Sequence, residues 1–265
     1  MLNYYVVDAF AEKIFEGNPA GVCIMDEWIP DEKMDKIAKE NNLSETAFAV
    51  KEGEAYGLRW FTPGGEIDLC GHATLATAYV IFRFIETNEK VLHFNTKMKN
   101  YHLVVTKKND LYEMDFPTAL PEKYQLTDLM VEALGATPVE VLKTDRDLIF
   151  IFDSEDVVKN LKPDFSKLKQ IPEGLSAFVT AKSENFDFVA RAFWPKINID
   201  EDPVCGSMYC SLIPYWREKK GLDKMVARQV SERGGTVYCE YYGDRVKLSG
   251  GAVLYAIGNI CVDEA

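Results

Sequence analysis

Two short stretches decide the fold: residues 59–63 (RWFTP) and residues 191–195 (RAFWP) share the pattern R-x-F-x-P. Each follows an apolar, strand-like run, residues 46–50 (TAFAV) in the first case and residues 176–180 (SAFVT) in the second. The same order of motifs therefore occurs twice in one chain. Such self-similarity predicts a duplicated fold, in which one structural unit is built twice.

The repeat continues into two helical segments. Cys70-Gly71 follows the first stretch, Cys205-Gly206 follows the second, and each pair opens a helical segment. Residues 71–86 are apolar on most faces, which predicts a helix buried inside its half. The order strand, strand, Cys-Gly and helix thus recurs.

We predict two halves of similar fold, residues 1–122 and residues 123–265, that meet near residues 120–135. Strand-like runs surround the helical segment in both halves. By alignment of the strand-like runs, Glu45 of the first half corresponds to Leu175 of the second. One half would then contribute a carboxylate that its counterpart lacks.

The amino-acid composition limits which classes of molecule the protein is expected to bind. The 265 residues include 42 acidic and 30 basic side chains, giving a net charge of −12 and a pI near 4.8. Such a surface repels nucleic acid and anionic membranes. No signal peptide and no long apolar span is evident. The six cysteines are expected to be reduced thiols of a cytoplasmic protein.

The two Cys-Gly helix starts predict a chemistry. Free backbone N–H groups at a helix N-terminus bind carboxylates, and the same field is expected to lower the thiol pKa of Cys70 and Cys205. If the helix starts face each other across a cleft, one thiolate and one thiol could exchange a Cα proton from opposite faces. This arrangement would be a two-base racemase without a cofactor.

Four motifs carry a resemblance to a known family. They are residues 17–21 (GNPAG), 42–48 (NLSETAF), 68–74 (DLCGHAT) and 201–207 (EDPVCGS). With them the sequence resembles the PhzF-like (phenazine-biosynthesis) family. The resemblance implies an α+β, diaminopimelate epimerase-like fold: two pseudo-symmetric halves, each a β-sheet or barrel wrapped around a central helix. It also implies a homodimer.

The resemblance assigns roles to individual residues. It implies that Glu45 is the acid/base of a cofactor-independent isomerisation, with His72 and Asp202 as its polar partners. The substrate is expected to be a small molecule that bears a carboxylate. The residues implied to bind it, or to lie near it, are Gly71, Gly206, Ser207 and Asn18.

Other functions stay open from the sequence alone. A racemase or epimerase would use the thiols of Cys70 and Cys205, which the best-known PhzF enzyme lacks. A cysteine hydrolase would use Cys70 as nucleophile and His72 as base. Met208-Tyr209 replaces the Ala-His of many relatives, so a non-catalytic small-molecule binder is a further alternative.

No cofactor or metal is expected. The paired glycines at 234–235 and 250–251 lack the strand–turn–helix context of a nucleotide fingerprint. Cys70 and His72 lie close in sequence, but no second pair of ligands has recognisable zinc spacing.

Overall fold

A computed structural model of the protein describes residues 1–262, which form two compact units. The first comprises Met1–Asp115 and the C-terminal segment from Ser249, and the second comprises Phe116–Leu248. Within the described residues, no helix has both the length and the apolar character needed to cross a membrane.

The helices and strands of the described residues alternate along both units. The helices are α1 (Asp31–Asn41), α2 (Gly71–Phe84), α3 (Asp128–Leu134), α4 (Glu155–Asn160), α5 (Phe165–Gln170) and α6 (Gly206–Lys220), with a 3-10 turn at Pro195–Ile197. The strands are β1 (Leu2–Ala9), β2 (Asn18–Met25), β3 (Glu45–Glu52), β4 (Ala55–Thr62), β5 (Gly65–Ile67), β6 (Val91–Thr96), β7 (His102–Lys108), β8 (Leu111–Pro117), β9 (Glu122–Lys123), β10 (Glu140–Lys143), β11 (Leu148–Phe152), β12 (Ala177–Lys182), β13 (Phe188–Trp194), β14 (Ile199–Asp202), β15 (Lys224–Gln229), β16 (Gly235–Tyr241), β17 (Arg245–Gly250) and β18 (Ala252–Ile260). The α+β prediction is confirmed.

The division of the chain differs from the predicted halves 1–122 and 123–265. Strand β18 pairs antiparallel with β1 along its length, from Ala9↔Ala252 to Leu2↔Ile260. The last strand therefore belongs to the first unit, although it was predicted with the second half. Sequence reasoning divided the chain at one point because a strand carries no signal for a partner more than two hundred residues away.

In the first unit, the strands build a sheet over the buried helix α2. Strand β2 pairs with β1 on one side and runs parallel to β3 on the other, and β3 pairs antiparallel with β4. Every side chain of α2 from His72 to Phe82 is buried, as the apolar sequence predicts. A second core forms where Phe48 of β3 packs with Met34 and Ile37 of α1.

The second unit repeats this plan. Strand β11 runs parallel to β12, and β12 pairs antiparallel with β13. Helix α6 carries its own set of buried side chains, including Leu212, Ile213 and Trp216. Val179 of β12 packs with residues of α3 and α5, as Phe48 packs with α1.

Matching ion pairs support the predicted repeat. Arg59 of β4 contacts Glu66, and Arg191 of β13 contacts Glu201, each at 2.7 Å. Both glutamates lie four residues before the Cys of a Cys-Gly pair. The two arginines therefore stabilise the loops that lead into α2 and α6.

Strand register corrects the sequence alignment by one residue. Arg59 lies opposite Phe48, and Arg191 lies opposite Val179, so these two pairs are equivalent. Counting back three residues along each strand makes Ser176, not Leu175, the counterpart of Glu45. Sequence similarity alone missed the offset because consecutive apolar residues match almost as well in either register.

The motif at residues 17–21 is largely a strand. Only Gly17 turns, with φ +68°, and a Cβ there would lie 2.1 Å from the carbonyl oxygen of Ala9. Strand β2 begins at the next residue, Asn18. Pro19 has no N–H to donate. It is tolerated because at most one hydrogen bond is lost where β2 pairs with β1.

Candidate active site

Glu45 is a carboxylate buried at the start of β3. The residue is 7% exposed, and the five residues after it in the strand are also buried. Strand β2 covers it on one side, where Ala20 is its register partner. A carboxylate in such a place is costly unless a partner stabilises its charge.

His72 is that partner. It is the second residue of α2, and its Nε2 lies 2.9 Å from Oε2 of Glu45. This oxygen has no partner with hydrogen-bond geometry among the described residues, so the contact is a close ion pair. Burial alone would lower the pKa of His72, but the neighbouring Cys70 and the Glu45 carboxylate together raise that pKa well above its ordinary value. The raised pKa favours the protonated form of His72 beside Glu45.

Asn18 fixes the other side of the imidazole. The residue is fully buried, and its side-chain amide lies 3.2 Å from Nδ1 of His72. When Nδ1 carries a proton, the amide oxygen can accept it in a hydrogen bond, and an amide can be turned to suit either tautomer. Asn18 thus holds the ring with Nε2 directed at Glu45.

Cys70 completes this cluster at the N-cap of α2. Its Sγ lies 3.6 Å from Nδ1 of His72 and 4.0 Å from Nε2. Burial, followed by the nearby Glu45 carboxylate, raises the pKa of the thiol. The expectation that the helix field lowers this pKa is therefore wrong: the loss of hydration outweighs the helix dipole.

The start of α2 also offers free donors. Within residues 1–262, the backbone N–H groups of Gly71 and His72 meet no acceptor, as expected for the first turn of a helix. They adjoin the Glu45–His72 pair in sequence. An anionic group of a ligand would find hydrogen bonds there.

The cluster has a metal-ligand character that the sequence analysis did not predict. Glu45, Cys70 and His72 each offer one ligand atom, and these atoms lie within 4.8 Å of one another. In the described part of the chain it is the one group of three or more potential ligands. Chain spacing could not reveal it, because Glu45 comes from a different strand.

The second unit forms its own cluster at the start of α6. Cys205 is the N-cap residue, and its backbone N–H donates to Oε1 of Gln229 at 2.9 Å. Burial, followed by the Asp202 carboxylate, raises the pKa of this thiol well above its ordinary value. The expected lowering of the Cys205 pKa is wrong for the same reason as at Cys70.

Ser207 takes the place that His72 has in α2. It is the second residue of α6, and its hydroxyl lies 3.4 Å from Sγ of Cys205. Gly206 precedes it as the first helical residue. Asp202 ends β14, and its backbone carbonyl accepts a hydrogen bond from the Gln229 side chain.

Two residues of this cluster were missed by sequence analysis. Arg146 donates to the Ser207 hydroxyl at 3.0 Å and to Asp147 at 2.8 Å, and its guanidinium lies over the ring of Trp194. Asp147 is 4% exposed and also accepts from Ser176 at 2.7 Å. The available signal was their position directly before β11, the counterpart of β2, which carries Asn18.

The predicted site residues thus fall into two local groups. The structure brings Asn18, Glu45, Cys70, Gly71 and His72 together in the first unit. Asp202, Cys205, Gly206 and Ser207 lie together in the second.

Comparisons with known proteins match nearly the whole chain. The family model described as "Phenazine biosynthesis-like protein" matches residues 7–258. An uncharacterized isomerase of Pseudomonas aeruginosa is 46% identical over 260 residues, covering 98% of each chain. The crystal structure of a PhzF-family protein from Enterococcus faecalis has a TM-score of 0.95 and 49% identity, covering 97% of this chain and 98% of that one.

A more distant structure shares the fold alone. A hydroxyproline epimerase from Agrobacterium vitis has 10% identity and a TM-score of 0.59, covering 97% of this chain and 91% of that chain. The epimerase-like fold expected from the resemblance is confirmed. The chain belongs to the phenazine biosynthesis-like (PhzF) family, and it is an isomerase of that family.

Proposed function

We propose that this isomerase moves a proton on a small carboxylate-bearing molecule, without a cofactor, and that Glu45 is its acid/base. One observation carries the proposal: the Glu45 carboxylate is buried and lies 2.9 Å from Nε2 of His72. A buried carboxylate with a titratable partner is the kind of group that general acid–base catalysis uses.

The proton balance of the reaction is simple. Glu45 takes a proton from one carbon atom of the substrate and returns it to another carbon atom on the same face. The negative charge that develops on the substrate meets the N–H groups at the start of α2, Gly71 and His72. His72 is a positioning residue that holds the Glu45 carboxylate and compensates its charge while it is ionised.

The cluster of the second unit supports anion binding. Gly206 and Ser207 provide helix N-terminal groups, and Arg146 adds a permanent positive charge beside them. Half of the Arg146 side chain is exposed, so the guanidinium is accessible to a ligand. We propose that these residues, together with Asp202, form an anion-binding site of the second unit.

The thiol alternative is less well supported. A two-thiol racemase needs one thiolate, but burial raises the pKa of both Cys70 and Cys205. A cysteine hydrolase meets the same objection. A non-catalytic binder fits poorly with the isomerases among the relatives.

Hydrogen exchange tests the proposal directly. The protein is incubated in D₂O with a panel of amino acids and cyclic hydroxy or amino acids, and carbon-bound hydrogen is followed by NMR. We expect deuterium to enter a substrate with wild type, and exchange to fall about 10²–10⁴-fold in Glu45→Gln. Cys70→Ala is expected to keep most of it. Loss in Cys70→Ala with retention in Glu45→Gln would establish the thiol mechanism instead.

We also propose that the protein is a homodimer. Phe15, Tyr255 and Ile257 are large apolar residues with 62%, 55% and 60% exposure, and the first two rings lie 5.8 Å apart. Tyr255 and Ile257 share one face of β18. Light scattering is expected to give a dimer mass for wild type and a monomer mass for Ile257→Glu.

A further inference from the structure

We propose that Glu45, Cys70 and His72 bind a thiophilic divalent cation, Zn²⁺ or Cd²⁺, and that the bound cation inhibits the isomerase. The three side chains combine a sulfur, a nitrogen and an oxygen ligand, the types that zinc prefers. All three residues are buried, with 6–7% exposure, so a cation would be enclosed by protein.

Two of the three distances between ligand atoms are close to those of tetrahedral coordination, and the third, from Glu45 to Cys70, is within 4.8 Å. Zinc bonds of about 2.0–2.3 Å place neighbouring ligand atoms about 3.3–3.6 Å apart. Nε2 of His72 lies 2.9 Å from Oε2 of Glu45 and 4.0 Å from Sγ of Cys70. The distance from His72 to Glu45 must lengthen and the distance from His72 to Cys70 must shorten, each by a few tenths of an ångström.

Asn18 supplies the supporting hydrogen bond that metal-ligating histidines usually have. With Nε2 on the cation, Nδ1 carries a proton. The amide nitrogen of Asn18 lies 3.2 Å from Nδ1, and turning the amide by 180° places its oxygen there to accept the hydrogen bond. Because Asn18 is fully buried, the ring is held in the orientation that ligation requires.

Charge also favours a dication over a monocation. Binding breaks the S–H bond of Cys70 and the Nε2–H bond of protonated His72, forms a metal–sulfur and a metal–nitrogen bond, and releases both protons to solvent. The resulting thiolate and the Glu45 carboxylate together neutralise the two positive charges. A site with no net charge avoids most of the penalty for burying an ion.

The inhibitory part rests on the proposed function, because a cation on Glu45 would occupy the carboxylate that moves the proton. The binding part does not. Three protein ligands leave a fourth position for water, so a chelator can remove the cation.

The second unit provides a matched control. Cys205 is also a buried N-cap cysteine, but Ser207 replaces the histidine and the Arg146 guanidinium lies beside it. A fixed positive charge opposes cation binding there. Cys205→Ala should therefore leave the cation affinity unchanged, and Cys70→Ala should not.

The test is a Cd²⁺ titration of the full chain, followed by the ultraviolet charge-transfer band of cadmium thiolate. The exposed Cys261 is replaced by alanine in every protein to remove a competing thiol. We expect one equivalent of the band, its loss in Cys70→Ala, and at least tenfold weaker binding in Glu45→Gln and His72→Gln. These two variants keep the test decisive if Cys70→Ala does not fold. An unchanged band in folded Cys70→Ala, or its loss in Cys205→Ala, would overturn the site.

Zn²⁺ in the exchange assay tests inhibition separately. We expect exchange to stop at the concentration that fills the site and to return with EDTA. Exchange that persists at full occupancy would overturn the inhibitory role. Failure of the proposed function would look different, because Cd²⁺ would bind at Cys70 while metal-free wild type showed no exchange with any compound.

Discussion

Each of the two units has a buried carboxylate near the start of a buried helix, but the residue that contacts this carboxylate differs between the units. In the first unit, Glu45 faces His72. In the second, Asp147 faces Arg146, which in turn contacts Ser207 in the first turn of α6. An imidazole gains and loses a proton near neutral pH, whereas a guanidinium stays charged.

This difference separates a reactive pair from a fixed one. The guanidinium of Arg146 does not change its charge, and the Asp147 carboxylate orients it, so Asp147 is suited to positioning. A carboxylate held by histidine has a partner whose own charge can change. The duplicated frame thus provides the same helix start twice, and the partner of the carboxylate decides which copy can move a proton.

The largest expected effect compares the two carboxylates directly. Glu45→Gln should reduce exchange about 10²–10⁴-fold, because it removes the acid/base while keeping the shape of the side chain. Asp147→Asn should cost stability, since Arg146 loses its counter-charge, and should leave exchange within about tenfold. Rates in D₂O and urea unfolding measure both effects. The comparison would break if Asp147→Asn lost as much activity as Glu45→Gln.

The second-largest expected effect compares His72 of α2, which contacts Glu45, with Ser207 of α6, which contacts Arg146. His72→Gln should lower exchange about 10²-fold, the cost of displacing a catalytic group by about 1 Å. Because His72 positions Glu45, the shape of the pH–rate profile should change as well. Ser207→Ala is the matched variant in α6 and should keep the wild-type profile. An unaltered profile in His72→Gln would argue against the positioning role.

The pH dependence of stability sharpens the comparison further. The pKa of His72 is raised on folding by Cys70 and Glu45, although burial opposes this. Its contribution is therefore fully present below the ordinary histidine pKa of about 6.5 and is lost as pH rises through the raised value.

The measurement is the free energy of unfolding of wild type minus that of His72→Gln, at several pH values from 6 upward. We expect the difference to fall with a slope of up to about 1.4 kcal/mol per pH unit. The subtraction removes contributions that both proteins share, including those of the other buried thiols. A difference that rises with pH would show that His72 is neutral in the folded protein.

Local sequence patterns were sufficient for much of the fold. Helix α2 was predicted to within two residues, because it has a clear apolar pattern and a marked start. The repeat was visible because Arg59 and Arg191 perform the same structural task. The pairing of strands distant in sequence was not visible. Strand β18 was predicted with the second half although it pairs with β1.

The sequence motifs predicted residues that lie together in the structure, but they did not predict the electrostatics of the cluster. Glu45, Cys70, His72 and Asn18 were all expected from motifs, and the structure groups them. The direction of the thiol pKa was predicted wrongly because the depth of burial cannot be read from a helix start. Arg146 escaped notice because its partner Ser207 is 61 residues away in sequence.

The smallest expected effect tests the corrected strand register. Ser176 is the structural counterpart of Glu45, and its hydroxyl donates to Asp147 at 2.7 Å. Ser176→Ala should lower the free energy of unfolding by about 1 kcal/mol, because Arg146 still satisfies the carboxylate. Leu175→Ala, at the position that the sequence alignment favoured, is the control. If Ser176 has only this supporting role, exchange activity should stay near the wild-type value in Ser176→Ala. A loss comparable to that of Glu45→Gln would instead mean that the fixed pair of the second unit takes part in moving the proton.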